Sequence, residues 1–294
     1  MHKSIESLLA DAAASGRTLA QTVLETEARE SGVAPEQIRA RVGRTLGVMR
    51  RAIEEGLKGE ARSPSGLTGG RAKRLWDDGP RLLGPRVTTT LARAIATLEL
   101  NAAMGLIVAA PTAGAAGVLP AILLSVGEFL EADEERLIDA MLVAGGVGAV
   151  IAQRASIAGA EGGCQAETGT AAAMGAAAVT FLHGGTPEQV ATSIALSLQG
   201  MLGLICDPIG GLVEIPCIYR NASAAMQAIA SAEMALAGLD FPVSADEVID
   251  VMGEVGRKMP AAYRETAQGG LAATASARRL VQIQPAKQPA GISR

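Results

Sequence analysis

Aromatic side chains are nearly missing from this chain. One Trp, two Tyr and three Phe make up 2% of its 294 residues, although 49% are hydrophobic. The apolar mass is therefore Ala, Leu, Val, Ile and Met, and with 35 Gly it describes closely packed helices with small residues at their contacts. Cysteine is scarce too. Three of them is an odd number for a disulfide framework, and the first residues, Met1-His2-Lys3-Ser4-Ile5-Glu6, lead into an amphipathic pattern rather than a secretory signal. The expected compartment is a reducing cytoplasm, where thiols serve as metal ligands or nucleophiles. There is no excess of positive charge: the formal net charge is −4 and the pI about 5.4, so nothing invites nucleic acid. Mean hydropathy is +0.27, and the stretch from Leu100 to Val126 carries no charge over a length able to cross a bilayer. It is interrupted by Pro111, Gly114, Gly117 and Pro120 and lacks Trp and Tyr at its flanks. A buried, broken helix is the better reading, with no membrane partner.

What is present is helical periodicity. Two or three amphipathic helices are expected over residues 1–59, broken at Ser15-Gly16-Arg17 and at Ser31-Gly32-Val33-Ala34-Pro35. The last of them carries Ile38, Val42, Leu46, Met49 and Ile53 at spacings of three or four. Residues 59–72 read as a Gly-rich polar loop, either mobile or a lid over a site. A helical run from Thr88 to Met104 follows, then helices over 118–130, 134–153, 168–182, 187–203, 217–238 and 245–256. Period-two β-branched runs are scarce, so the fold class is all-α: one globular helical domain over 1–282, with Gly- and Pro-broken helices, followed by a loose tail over 283–294.

The cysteines are the most informative feature. Cys164 lies in Glu161-Gly162-Gly163-Cys164-Gln165-Ala166-Glu167, Cys206 opens Cys206-Asp207-Pro208-Ile209-Gly210-Gly211, and Cys217 follows Ile215-Pro216. Each stands at a helix boundary beside Gly or Pro, which gives a metal ligand backbone freedom and nearby amides, and helix N-termini favour thiolate. The alternative is three buried structural cysteines. Their spacing matches no zinc-finger pattern.

These segments resemble the alpha chain of iron–sulfur-dependent L-serine dehydratase (L-serine ammonia-lyase). The resemblance is carried by Ala110-Pro111-Thr112-Ala113-Gly114, by Gly163-Cys164-Gln165-Ala166-Glu167, by the run from Cys206 to Cys217, by Arg220-Asn221, and by the stretch from Glu265 to Thr274. It spans nearly the whole chain, including the Ser65-Gly66-Leu67 loop. It implies an all-α catalytic domain with a 4Fe–4S cluster on Cys164, Cys206 and Cys217, and three protein ligands would leave one iron open. The implied chemistry is dehydration and deamination of L-serine to pyruvate and ammonia, with the substrate hydroxyl activated at that iron. Such an exposed iron implies oxygen sensitivity. The His-containing module that family members often carry is absent here, which implies a separate beta chain, and an oligomer is expected.

The remaining pocket residues keep two readings each. Thr112 and Gly114 either present amides to a substrate carboxylate or only interrupt a helix. Glu167 either binds the substrate ammonium or is a first-turn carboxylate. Asp207 is a pocket carboxylate or a turn cap, and Arg220 and Asn221 touch cluster or carboxylate, or pair elsewhere. No general base is evident. His2 is terminal and His183 sits at a helix C-terminus. A pyridoxal-phosphate enzyme is disfavoured, because Lys3, Lys58, Lys73, Lys258 and Lys287 lack a strand–loop context. Two alternatives stand: a cluster-dependent L-cysteine desulfidase, and a non-enzymatic helical scaffold or redox subunit.

Overall fold

The computed structural model describes residues 2–283, and within them the chain forms thirteen helices and no strand. The N-terminal third holds α1 (Ile5–Ser15), α2 (Leu19–Ser31) and α3 (Pro35–Leu57). The first two open on capping boxes at Ser4 and Thr18 and close on left-handed Gly16 and Gly32. Glycine is needed at those closing positions because their φ is near +66° and +69°. α3 starts at Pro35, a natural first-turn residue, and buries Ile38, Leu46, Met49 and Ile53.

The middle of the chain supplies the core. α5 (Pro85–Ala102), α6 (Val118–Phe129), α7 (Glu134–Arg154), α9 (Thr170–Leu182), α10 (Pro187–Gln199) and α11 (Cys217–Leu236) pack around one another, with α9 in contact with α6, α7, α10 and α11. α9 has the sequence TAAAMGAAAVTFL and buries every residue except Phe181. A helix apolar on all sides belongs at the centre, and its alanines let four neighbours approach closely. Close approach is also enforced elsewhere: a Cβ on Gly56 of α3 would collide with the Ala96 carbonyl of α5, and one on Gly117 with the Ala94 carbonyl. Two apolar clusters result, one centred on α7 and α9 with the N-terminal helices, the other where α5, α6 and α11 meet α9.

The expected helices appear with ends shifted by a few residues, and three features differ. The polar stretch after the Gly-rich loop forms α4 (Arg71–Asp78), whose only buried residue is Ala72. It is only eight residues long and has no side-chain cap to announce it. α10 stops at Gln199 rather than 203, which frees residues 200–206 to run toward Cys206. Near the end, α12 (Ala245–Lys258) is followed by irregular chain and then α13 (Ala275–Ile283). The helix reaches one residue into the segment expected to be loose, and the rest of that tail lies outside the described residues. The uncharged stretch from Leu100 is broken as expected: α5 ends at Ala102, residues 105–109 are irregular, and α6 starts at Val118. Among the described residues no helix is long and apolar enough to cross a membrane.

Candidate active site

The three cysteines arrive on three separate pieces of backbone. Cys164 follows the short α8 (Gly159–Gly162) and leads into a π-turn, Gln165–Gly169, that runs straight into α9. Single π-turns within helices recur at functional sites because they redirect side chains. This one is braced by Gln165, which is fully buried: its Nε2 donates to the Met252 carbonyl at 3.0 Å, and its Oε1 accepts from Gly203 N at 2.9 Å. Cys206 sits in an extended segment bridged to the chain after α12, with Cys206 N donating to Tyr263 O and Glu265 N to Cys206 O, both at 2.8 Å. Cys217 is the first residue of α11. All three are buried and unbridged by disulfides.

The thiols share one environment. Burial is the main force raising their pKa values. Cys206 is pushed well above the usual thiol range, further raised by charge on Cys164, Glu167 and Cys217. Cys217 is pushed up to about 12 by burial and by its neighbours Cys164 and Glu167, with Arg220 pulling the other way. Cys164 is raised by burial, opposed by its 2.8 Å contact with Thr168 Oγ1 and by Arg220. Cys206 therefore feels both other thiols and Cys217 feels Cys164, and Arg220 is the cation beside Cys164 and Cys217.

The other expected residues fall around this centre. Thr112 Oγ1 donates to Glu167 Oε1 at 2.7 Å, and the second oxygen of that carboxylate lies 4.0 Å from Cys206 Sγ. A Cβ on Gly114 would sit 3.3 Å from Glu167 Oε1, so Gly114 lines the carboxylate. Burial raises the Glu167 pKa, Thr112 opposes it, and the charge of Glu265 adds to it. Arg220 donates from Nη1 to the Ile205 carbonyl at 2.9 Å and pairs with Asp207 Oδ1 at 2.8 Å. The pair is electrostatic rather than a directed hydrogen bond, since Oδ1 has no hydrogen-bond partner, whereas Oδ2 accepts from Leu271 N at 2.6 Å. Asn221 is fully buried and spends its amide on backbone: Nδ2 donates to Gly114 O and Cys217 O, and Oδ1 accepts from Gly117 N. It ties the 112–117 turn to α11 rather than facing a ligand.

The histidines stand elsewhere. His2 contacts Asp11 at 3.0 Å. His183 caps the C-terminal end of α9, the end opposite the Cys164 turn. Two further residues belong to the site without having been singled out. Glu265, held at a left-handed φ of 65°, lends its charge to Glu167 and Cys206. Glu214, buried between two of the cysteines, accepts from Ser65 Oγ with both oxygens at 2.8 Å. Their visible signal was modest: two carboxylates in irregular chain, Glu214 two residues before Pro216 and Glu265 four before Gly269.

One family model, described as "Serine dehydratase alpha chain", matches residues 14–272. The chain belongs to the serine dehydratase alpha chain family. Its relatives include the probable L-serine dehydratase alpha chain of Bacillus subtilis, 50% identical over 248 residues, which cover 83% of this chain and 82% of that protein. The L-serine dehydratase alpha chain of Peptoniphilus asaccharolyticus is 41% identical over 88% of this chain and 89% of its own length. The L-serine dehydratase of Streptomyces coelicolor is 40% identical over 91% of this chain, yet the match covers only 60% of that longer protein. All three cysteines lie within the part of this chain that the family model matches.

Proposed function

We propose that this chain is the cluster-holding part of an L-serine dehydratase, converting L-serine to pyruvate and ammonia together with a beta chain. The observation that carries the reading is the meeting of three buried, unbridged thiols with Glu167 and Arg220. The relatives named for L-serine dehydratase supply the substrate. The Streptomyces relative extends well beyond the matched length, and a separate beta chain would supply that remainder here.

The thiols suit a 4Fe–4S cluster on Cys164, Cys206 and Cys217. Among the described residues no three His, Cys, Asp or Glu side chains converge as a single ion requires, whereas a four-iron body spreads its ligands more widely. A Cβ at Gly159 would lie 3.3 Å from Cys206 Sγ and 2.6 Å from Glu167 Oε2, so glycine keeps space open beside that thiol. The raised thiol pKa values are the ordinary cost of burial, and metal coordination reverses them by taking the thiolate form. When bound, the cluster would supply a Lewis-acidic iron to the departing hydroxyl.

The chain's own side chains handle the rest of the substrate. Arg220, backed by Asp207, takes the α-carboxylate, a planar anion matched to a guanidinium fork. The backbone at Thr112 and Gly114 borders the same space. Glu167, oriented by Thr112, receives the ammonium. Loss of the α-proton and the β-hydroxyl gives one water and an aminoacrylate. Tautomerisation to an imine and hydrolysis then release ammonia and leave pyruvate.

The test is anaerobic co-expression with the beta chain, followed by iron and sulfide analysis and pyruvate assays on L-serine and L-cysteine. Turnover of L-serine by the loaded complex is the expected result. Undiminished turnover by iron-free protein, or a loaded complex acting only on L-cysteine, would overturn the proposal.

A further inference from the structure

The Gly-rich loop over 59–70 is fastened to the cysteine loop by a continuous run of side-chain hydrogen bonds. It begins in α5, where Glu99 is 1% exposed. Glu99 accepts from Arg71 N, Ala72 N and Thr68 Oγ1, all at 3.1 Å. Thr68 is linked to Ser63, whose N–H donates to Thr68 O at 3.1 Å and whose Oγ accepts from Thr68 N at 3.3 Å. Ser63 Oγ lies 3.0 Å from Ser65 Oγ, which also accepts from Leu67 N at 3.0 Å. Ser65 Oγ then reaches across to both oxygens of Glu214.

Glu214 is the unusual partner. It is 5% exposed, and among the described residues no cation pairs with it and Ser65 is its one side-chain hydrogen-bond donor. A buried carboxylate is costly unless donors satisfy it, so this single hydroxyl matters more than a surface serine would. Glu214 is also continuous with the thiol site. Its carbonyl accepts from Ile218 N at 2.9 Å in the first turn of α11, next to Cys217. On its other side, Ile209 N donates to Ile215 O at 2.9 Å, which closes the loop that starts at Cys206.

We propose that Ser65 is a positioning residue that, through Glu214, sets the loop joining Cys206 to Cys217, so that the 59–70 loop and the cysteine loop tighten or loosen as one unit. Its bearing on turnover rests on the dehydratase reading. The coupling itself does not, and it is measured on the chain without cluster or substrate.

The experiment is amide hydrogen exchange on the full chain as wild type, Ser65→Ala, Ser65→Thr, Glu214→Gln and the Ser65→Ala/Glu214→Gln pair. Ser65→Ala should speed exchange at residues 212–218 by about tenfold, the scale of one hydrogen bond to a buried charge. Glu214→Gln should reciprocally speed exchange at 63–70. The double variant should be no worse than the more severe single one, and Ser65→Thr should restore protection. Exchange in α7 and α9 reports whether the core has stayed folded. If Ser65→Ala loosens the core, Glu214→Gln reads the same contact from the other side. The proposal is overturned if each substitution loosens only its own loop, or if the two effects add. In the loaded complex, Ser65→Ala should lower kcat more than it raises KM. A wild-type complex inert toward L-serine would sink the dehydratase reading while leaving the exchange result standing.

Discussion

Asp207 and Arg220 are a pair whose members depend on each other. Asp207 is 1% exposed and holds both the Arg220 guanidinium and the Leu271 amide. Asp207→Asn would leave a partly buried guanidinium without its counter-charge, and a loss of about 3 kcal/mol is expected, read as a lower denaturant midpoint. Asn221→Ala should cost a similar amount, about 3 kcal/mol, because it leaves the Gly114 carbonyl and the Gly117 N–H without their partner. The cysteines behave differently. Cys164→Ser, Cys206→Ser and Cys217→Ser should each abolish iron and sulfide retention under anaerobic purification while leaving the far-ultraviolet circular dichroism unchanged. A variant that kept a full cluster would remove that cysteine from the ligand set. At this scale the sequence was legible where a residue's surroundings are unusual: three cysteines, each within two residues of Gly or Pro. It was illegible where the role depends on a distant partner. Nothing near Glu214 in sequence points to Ser65, and nothing near Asn221 shows that its amide closes the 112–117 turn.

Helices were legible where they carry their own punctuation. Ser4, Thr18, Thr186 and Ser244 each close a capping box, and the segments behind them were expected as helices. Ser244→Ala should cost about 1 kcal/mol in thermal or chemical unfolding. α4 escaped because it is only eight residues long and its N-cap Gly70 makes no side-chain cap; the Glu99 carboxylate of α5, accepting from Arg71 N and Ala72 N, holds it in place instead. The π-turn after Cys164 escaped for a related reason: its register is set by Gln165 contacts to Met252 and Gly203, both remote. Two glycines in helices make the contrast measurable. Gly145 in α7 is exposed, with nothing near its absent Cβ, so Gly145→Ala should stabilise by up to about 1 kcal/mol. Gly56→Ala in α3 adds the same methyl against the Ala96 carbonyl, and overpacking of about 1–3 kcal/mol should outweigh the helical gain. Thermal melts of the two variants should move in opposite directions.

The whole molecule was legible as an all-helical body because small apolar residues dominate and period-two patterns are scarce. It was not legible how three distant segments converge, since that follows from the stacking of α9 against α7, α10 and α11. The proposed dependence on a beta chain belongs at this scale. The isolated chain should bind iron but turn over L-serine weakly, and adding the beta chain should restore pyruvate formation. Full activity of the chain alone would place every catalytic group within it. Oxygen is a second probe: air should inactivate the loaded complex, and ferrous iron with a thiol reductant should revive it.

The two apolar clusters that hold the helices together contain none of the three cysteines. In small zinc domains the metal is the keystone, and its removal unfolds the chain. Here the proposed order is reversed: the helices rest on contacts that include none of the proposed ligands, so the proposed cluster's seat should stand without its occupant. Damage by oxygen would therefore empty the seat without toppling the building, leaving a folded vessel ready to be refilled rather than a protein that must be made anew.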